Sequence, residues 1–154
     1  MKKLEDLDID LRKFVAPPLR WFREQNFKIL DLEKVVVCPE EGFAGTVDCA
    51  VLTPDGKQMV IDWKTTKTKG RKVQPYQGQP EQVSAYGASY FGVNEVENEK
   101  VWGINAYIST DEFLENGESR FEVVRYSPAE IKHHWETFKH TCELWRRIEK
   151  YDPR

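Results

Sequence analysis

A chain of 154 residues fits a single domain, 1–154, built round one hydrophobic core, and a second folded domain is not expected. Its 40% hydrophobic and 32% charged residues speak against a disordered or membrane-embedded chain, and no apolar run approaches the roughly 20 residues a membrane helix needs. A formal net charge of −3 argues against a protein that coats nucleic acid by bulk attraction, and the absence of an apolar segment behind the N-terminal lysines leads to an expected cytoplasmic location.

Residues 7–26 read as helical but interrupted, because Pro17-Pro18 should break the helix and let a short second one resume. Residues 27–29 and 33–37 read as extended, rich in β-branched side chains and bounded by Pro39 and the Glu40-Glu41-Gly42 turn. A second strand over 44–53 and a third over 58–65 are joined by Thr53-Pro54-Asp55-Gly56, a turn that links antiparallel neighbours. After a basic loop, Pro75, Gly78 and Pro80 mark an irregular stretch, and 80–92 reads as a helix with proline near its first turn. Strands over 101–109 and 120–126 flank an acidic, turn-rich segment. The tail begins with a capping box, Ser127 to Glu130, and Ile131, Trp135, Phe138, Cys142 and Trp145 then form the apolar stripe of a helix running to about 151. The sum is a mixed α/β (α+β) fold, a central mixed sheet of about five strands flanked by helices.

Cys38, Cys49 and Cys142 lack the spacing of a disulfide framework or zinc site and read as buried thiols. His133, His134 and His140 share one late charged segment, whereas zinc ligands converge from several elements. From Lys64 to Lys72 the chain holds five basic residues, Lys64, Lys67, Lys69, Arg71 and Lys72, and no acid. Alone, such a run reads as a solvated loop.

Chemistry concentrates on the second and third strands. Side chains alternate along a strand, so Asp62 and Lys64 project from one face and Trp63 from the other, where core packing suits it. An aspartate and a lysine in a strand otherwise made of Met, Val, Ile and Trp are costly to bury unless paired or bound to an ion. Asp48, on the neighbouring strand, is expected to face Asp62. Two carboxylates and the Trp63 backbone carbonyl are hard oxygen donors suited to Mg²⁺ or Mn²⁺. A cation there polarises a phosphoryl oxygen and acidifies water, and a lysine beside it neutralises developing negative charge. These are the residue types that phosphodiester hydrolysis requires.

Taken with their order, Gly-Thr-Val-Asp at 45–48, Ile-Asp-Trp-Lys at 61–64 and Gln-Val-Ser-Ala-Tyr at 82–86 resemble the PD-(D/E)XK nucleases, and within them the RecB-type exonuclease branch, marked by G-x-x-D, D-x-K and Q-x-x-x-Y. The match covers about residues 27–91 and extends to mitochondrial genome-maintenance and phage exonucleases. The resemblance implies a restriction-endonuclease-like core and Mg²⁺-dependent hydrolysis of DNA, often from an end, with single strands and free ends among its substrates. It implies metal ligation by Asp48 and Asp62, catalysis by these two and Lys64, and support of the site or substrate contact by Gln82 and Tyr86. Glu33, expected just before the first strand, is a further candidate ligand or the partner of a lysine. Lys67, Lys69, Arg71 and Lys72 then read as a grip on the phosphate backbone, with Tyr76 as a stacking surface.

The chain departs from that branch in having a short N-terminal region without histidine, where Glu24 is the substitute candidate. Three scattered cysteines cannot ligate the iron–sulfur cluster that some relatives hold with four. A homo-oligomer or larger nuclease complex would help so short a chain hold its substrate. The rival readings are a structure-specific or restriction-like endonuclease and a non-catalytic nucleic-acid-binding protein on the same fold.

Overall fold

The apolar alternation read above resolves into five strands in a computed structural model that describes residues 4–154. They are β1 (Lys28–Cys38), β2 (Phe43–Leu52), β3 (Gln58–Thr66), β4 (Val101–Phe113) and β5 (Ser119–Tyr126). The helices are α1 (Ile9–Glu24), α2 (Gln79–Phe91), the short α3 (Val93–Glu97) and α4 (Pro128–Glu149), with a 3₁₀ turn at Leu4–Asp6. The sheet runs β1-β2-β3-β4-β5 and is antiparallel except between β3 and β4, which are parallel and are connected through the basic loop, α2 and α3. This is the mixed, helix-flanked sheet expected. Among the described residues no helix is long and apolar enough to cross a membrane.

Two core layers follow from the alternation. On one face Val36, Val47, Ala50 and Val60 meet Val83 of α2 and Ile131 and Trp135 of α4. On the other, Cys49, Val51, Met59, Ile61, Ile104 and Ala106 meet Trp21 and Phe22 of α1. Gly103 of β4 lets the first layer close, since a Cβ there would lie 2.5 Å from Ile131 Cδ1 and 2.6 Å from Val83 Cγ1. The capping box forms, with Ser127 N–H donating to Glu130 Oε2 at 2.8 Å and Glu130 N–H to Ser127 Oγ at 3.4 Å.

Two local expectations are corrected. Pro17 and Pro18 do not break the first helix; they lie buried inside α1. Their missing N–H groups would have reached the carbonyls of Lys13 and Phe14, and packing of the apolar side of the helix on the sheet outweighs those two bonds. The two extended stretches at 27–29 and 33–37 are one strand of 11 residues, which places Glu33 within β1 rather than before it. A register shift between Ile29 and Asp31 and a left-handed Glu33 (φ 48°) are what break the alternation there.

Candidate active site

β2 and β3 pair from Leu52↔Gln58 to Cys49↔Ile61 and then part. The next residue on each strand is an aspartate, so Asp48 and Asp62 stand where the ladder opens. Asp48 fills the break, its Oδ2 accepting the Trp63 N–H at 2.8 Å in place of a ladder carbonyl. β2 also leaves strict alternation at this point, because Val47 and Ala50 both pack in the α2–α4 layer while Cys49 packs in the α1 layer. Across on β1, Glu33 falls between the pairs Lys34↔Val47 and Leu32↔Cys49, opposite Asp48, and is exposed.

Along β3 the alternation holds, and it brings Lys64 Nζ to 2.8 Å from Asp62 Oδ2 and 3.0 Å from Gln82 Oε1. The Asp62 side chain is only 2% exposed and that of Lys64 24%. Burial pushes the Asp62 carboxyl up; hydrogen bonding and charge from Lys64 oppose this, the nearby Asp48 charge adds to it, and a bond from Asn105 opposes it further. Trp63 faces away, its ring 6.0 Å from Trp21 and 6.3 Å from Phe22.

Gln82 serves two neighbours at once. While its Oε1 accepts from Lys64, its Nε2 donates to the Tyr86 hydroxyl at 2.9 Å, as the four-residue spacing on one helical face allows. The Tyr86 ring in turn lies against Gly45, where a Cβ would come within 2.7 Å of Tyr86 Cε1. Gly45, Lys64, Gln82 and Tyr86 thus form one contact chain.

Further members come from β4 and β5 and are not singled out by the sequence. The parallel register sets Asn105 beside Asp62 and Tyr107 beside Lys64. Asn105 Nδ2 donates to Asp62 Oδ2 at 2.8 Å, and its Oδ1 accepts the Tyr126 hydroxyl at 2.8 Å, a buried line from β5 to the site. Burial, with neighbouring phenol and carboxylate charges, drives the Tyr126 phenol well above its ordinary range. Tyr107 is raised to about 12, chiefly by burial. Its hydroxyl donates to Gln79 Oε1 at 2.7 Å, and the same oxygen accepts the Tyr76 N–H at 2.9 Å, which ties the end of the basic loop to the floor of the site. The sole trace in the sequence is Asn105, a lone amide in an apolar strand.

The basic loop is held at its start. Thr68 N–H donates to Asp111 Oδ1 at 2.8 Å, and the Thr68 hydroxyl meets Ser109 and Glu112. Lys69 and Gly70 are left-handed (φ 49° and 71°) and turn the chain. Lys67, Lys69, Arg71 and Lys72 are exposed, and with Tyr76 they line a recess of about 600 Å³ that begins at Thr66, two residues beyond Lys64. None of the four forms an ion pair among the described residues, in contrast to Arg120, which pairs with Glu112 and Glu122. Their charge faces solvent.

By donor chemistry Asp48, Asp62 and the Trp63 carbonyl offer the oxygens a hard divalent cation takes, although Asp62 Oδ1 accepts from Lys64 at 2.9 Å and its Oδ2 from Lys64 and Asn105, contacts a cation would have to share. Asp48 Oδ1 takes part in no hydrogen bond among the described residues, and its partner oxygen carries the single bond from Trp63. Asp62 is the second carboxylate, and the Trp63 carbonyl lies next in the chain. No group of three or more His, Cys, Asp or Glu side chains able to hold a metal occurs among the described residues. Two carboxylates with carbonyl, water and phosphate oxygens making up the rest is a coordination suited to Mg²⁺.

A family model described as PD-(D/E)XK nuclease superfamily matches residues 6–154. No curated protein matches the chain. A solved structure, "Crystal structure of SSO0001", is similar at 20% identity and a TM-score of 0.42 over 85% of this chain. The chain spans 59% of the length of that structure.

Proposed function

The chain belongs to the PD-(D/E)XK nuclease superfamily, and from that premise we propose that it is a Mg²⁺- or Mn²⁺-dependent deoxyribonuclease of the RecB-type exonuclease branch, acting as one domain in the cytoplasm. The observation that carries the reading is the convergence on Lys64: its ammonium lies between Asp62 and Gln82, and Gln82 reaches Tyr86, whose ring lies on Gly45. Residues from all three motifs meet there.

In this reading Asp48, Asp62 and the Trp63 carbonyl hold the cation, and Glu33, opposite Asp48, is the side chain from which a further ligand would come. The cation supplies Lewis-acid polarisation of a phosphoryl oxygen and acidifies water. Lys64 offsets the negative charge that develops on the phosphoryl group, and Gln82 and Tyr86 keep its ammonium in place. Asn105 fixes the rotamer of Asp62. Lys67, Lys69, Arg71 and Lys72 contact the phosphate backbone without reading sequence.

The test is incubation with end-labelled linear DNA and with a closed circle in Mg²⁺, Mn²⁺ or Ca²⁺, beside Asp62→Ala. Metal-dependent shortening of the linear strand, absent from the variant, is expected. Cleavage of the circle would make the protein an endonuclease, and no cleavage of either substrate would leave a nucleic-acid-binding protein. Gly45→Ala provides a second check. The added methyl displaces the Tyr86 ring and with it Gln82, so kcat should fall by about 10²-fold, the cost of misplacing a catalytic group by an ångström, while the fold loses about 1 kcal/mol, the low end for overpacking because the ring is only partly buried. Unchanged kcat would show that the Gly45–Tyr86–Gln82 chain does not govern Lys64.

A further inference from the structure

We propose that a recess between α2 and α4, beside the catalytic lysine, receives the base of the nucleotide at or next to the scissile phosphate. The proposal rests on the nuclease reading above and adds the place where an unpaired base of the substrate is held.

The recess has a volume of about 430 Å³, and Phe43, Ala44, Gln77, Gln82, Tyr86 and Phe138 are among its lining residues. That volume falls in the range of small-molecule sites, roughly 300–1,000 Å³. Its wall is aromatic, with the Phe43 and Phe138 rings edge to face at 4.8 Å, and an aromatic wall accepts the flat face of any base. The charged lining side chain, Glu81, is already engaged, one oxygen accepting the Gly78 N–H at 3.0 Å and the other 3.1 Å from His134 Nδ1. The recess therefore favours a neutral, flat occupant over an ion. Gln77 brings an exposed amide to the rim, able to donate and to accept.

Continuity with the catalytic group identifies the occupant. Gln82 lines the recess and also holds Lys64 Nζ at 3.0 Å, so a base in the recess and a phosphate at Lys64 flank one side chain. A base can enter only after leaving its stack. Unpairing costs least in single strands and frayed ends, so those forms load the recess most readily.

The test uses short single-stranded oligonucleotides carrying 2-aminopurine at successive positions from each end, and matching strands with one abasic residue. The protein is the whole chain, as wild type and as Ala44→Trp and Thr141→Trp, two exposed lining positions from which an indole fills the recess. In the wild type, 2-aminopurine fluorescence should be quenched at one position. The strand abasic at that position should bind about tenfold more weakly, the usual worth of stacking one base. Both effects should vanish in the two tryptophan variants. Equal binding of abasic and intact strands, retention of the difference in both variants, or no binding of either strand would each overturn the proposal. Cleavage followed in parallel separates the two readings. A base effect without metal-dependent cleavage leaves the subsite standing and removes the nuclease reading, and cleavage without a base effect does the reverse.

Discussion

Lys64→Met should lower metal-dependent cleavage by about 10²–10³-fold, the usual cost of removing one group that stabilises transition-state charge. It should also cost the fold about 3 kcal/mol, because Asp62 is left almost fully buried with Asn105 as its remaining hydrogen-bond donor. The low end of the range for a broken buried pair applies, since the lysine is itself a quarter exposed. Asp62→Asn should abolish cleavage at least as thoroughly yet cost about 1 kcal/mol or less, because Lys64 keeps Gln82 and water as partners and a desolvated charge is gone. The double variant should then be more stable than Lys64→Met alone. Initial rates on an end-labelled strand and denaturant unfolding of the four proteins check this. Strictly additive losses of stability in the double variant would mean that the two side chains are not coupled.

Trp135→Ala should lower stability by about 3–5 kcal/mol and the unfolding temperature by about 10–15 °C. The side chain is fully buried, stacks on Phe138 at 5.8 Å, tilts against Phe43 at 6.3 Å and lies under the Lys139 ammonium. Its removal takes away one of the two buried apolar contacts, the other being Ile131, that seat α4 on the sheet. Trp135→Phe offers a sharper comparison. The indole N–H is buried and has no acceptor among the described residues, so phenylalanine removes an unsatisfied donor along with some volume. The Phe variant should lose about 1 kcal/mol, far less than Ala. Calorimetric scans decide the matter, and an alanine variant that unfolds at the wild-type temperature would show that α4 is held by other contacts.

The parts of the site that the sequence makes legible are those set by local rules. Two-residue alternation on β3 is enough to place Asp62 and Lys64 together, and four-residue helical spacing is enough for Gln82 and Tyr86. The Asp48 position follows from the tight turn, although not its role in capping the Trp63 amide. That role depends on where the ladder stops, and the stop comes from a break in alternation that involves Glu33 on a third strand. Tyr107 and Tyr126 are invisible, and Asn105 shows only as a lone amide, for a related reason. They reach the site only because β4 pairs parallel to β3 across a connection of more than thirty residues, from Thr66 to Val101, and no local pattern records that register. The prolines of α1 went the other way: the local rule was clear, and tertiary packing overrode it.

The break between β2 and β3 leaves one backbone amide in an unusual electrical position. The Trp63 N–H donates to a carboxylate, where its neighbours higher in the ladder donate to carbonyls. An amide bonded to an anion is deshielded, and drawing that anion toward a cation lessens the effect. The Trp63 resonance in a nitrogen–proton spectrum of the isotope-enriched protein is therefore an internal gauge of what Asp48 is bound to, readable without an attached reporter group.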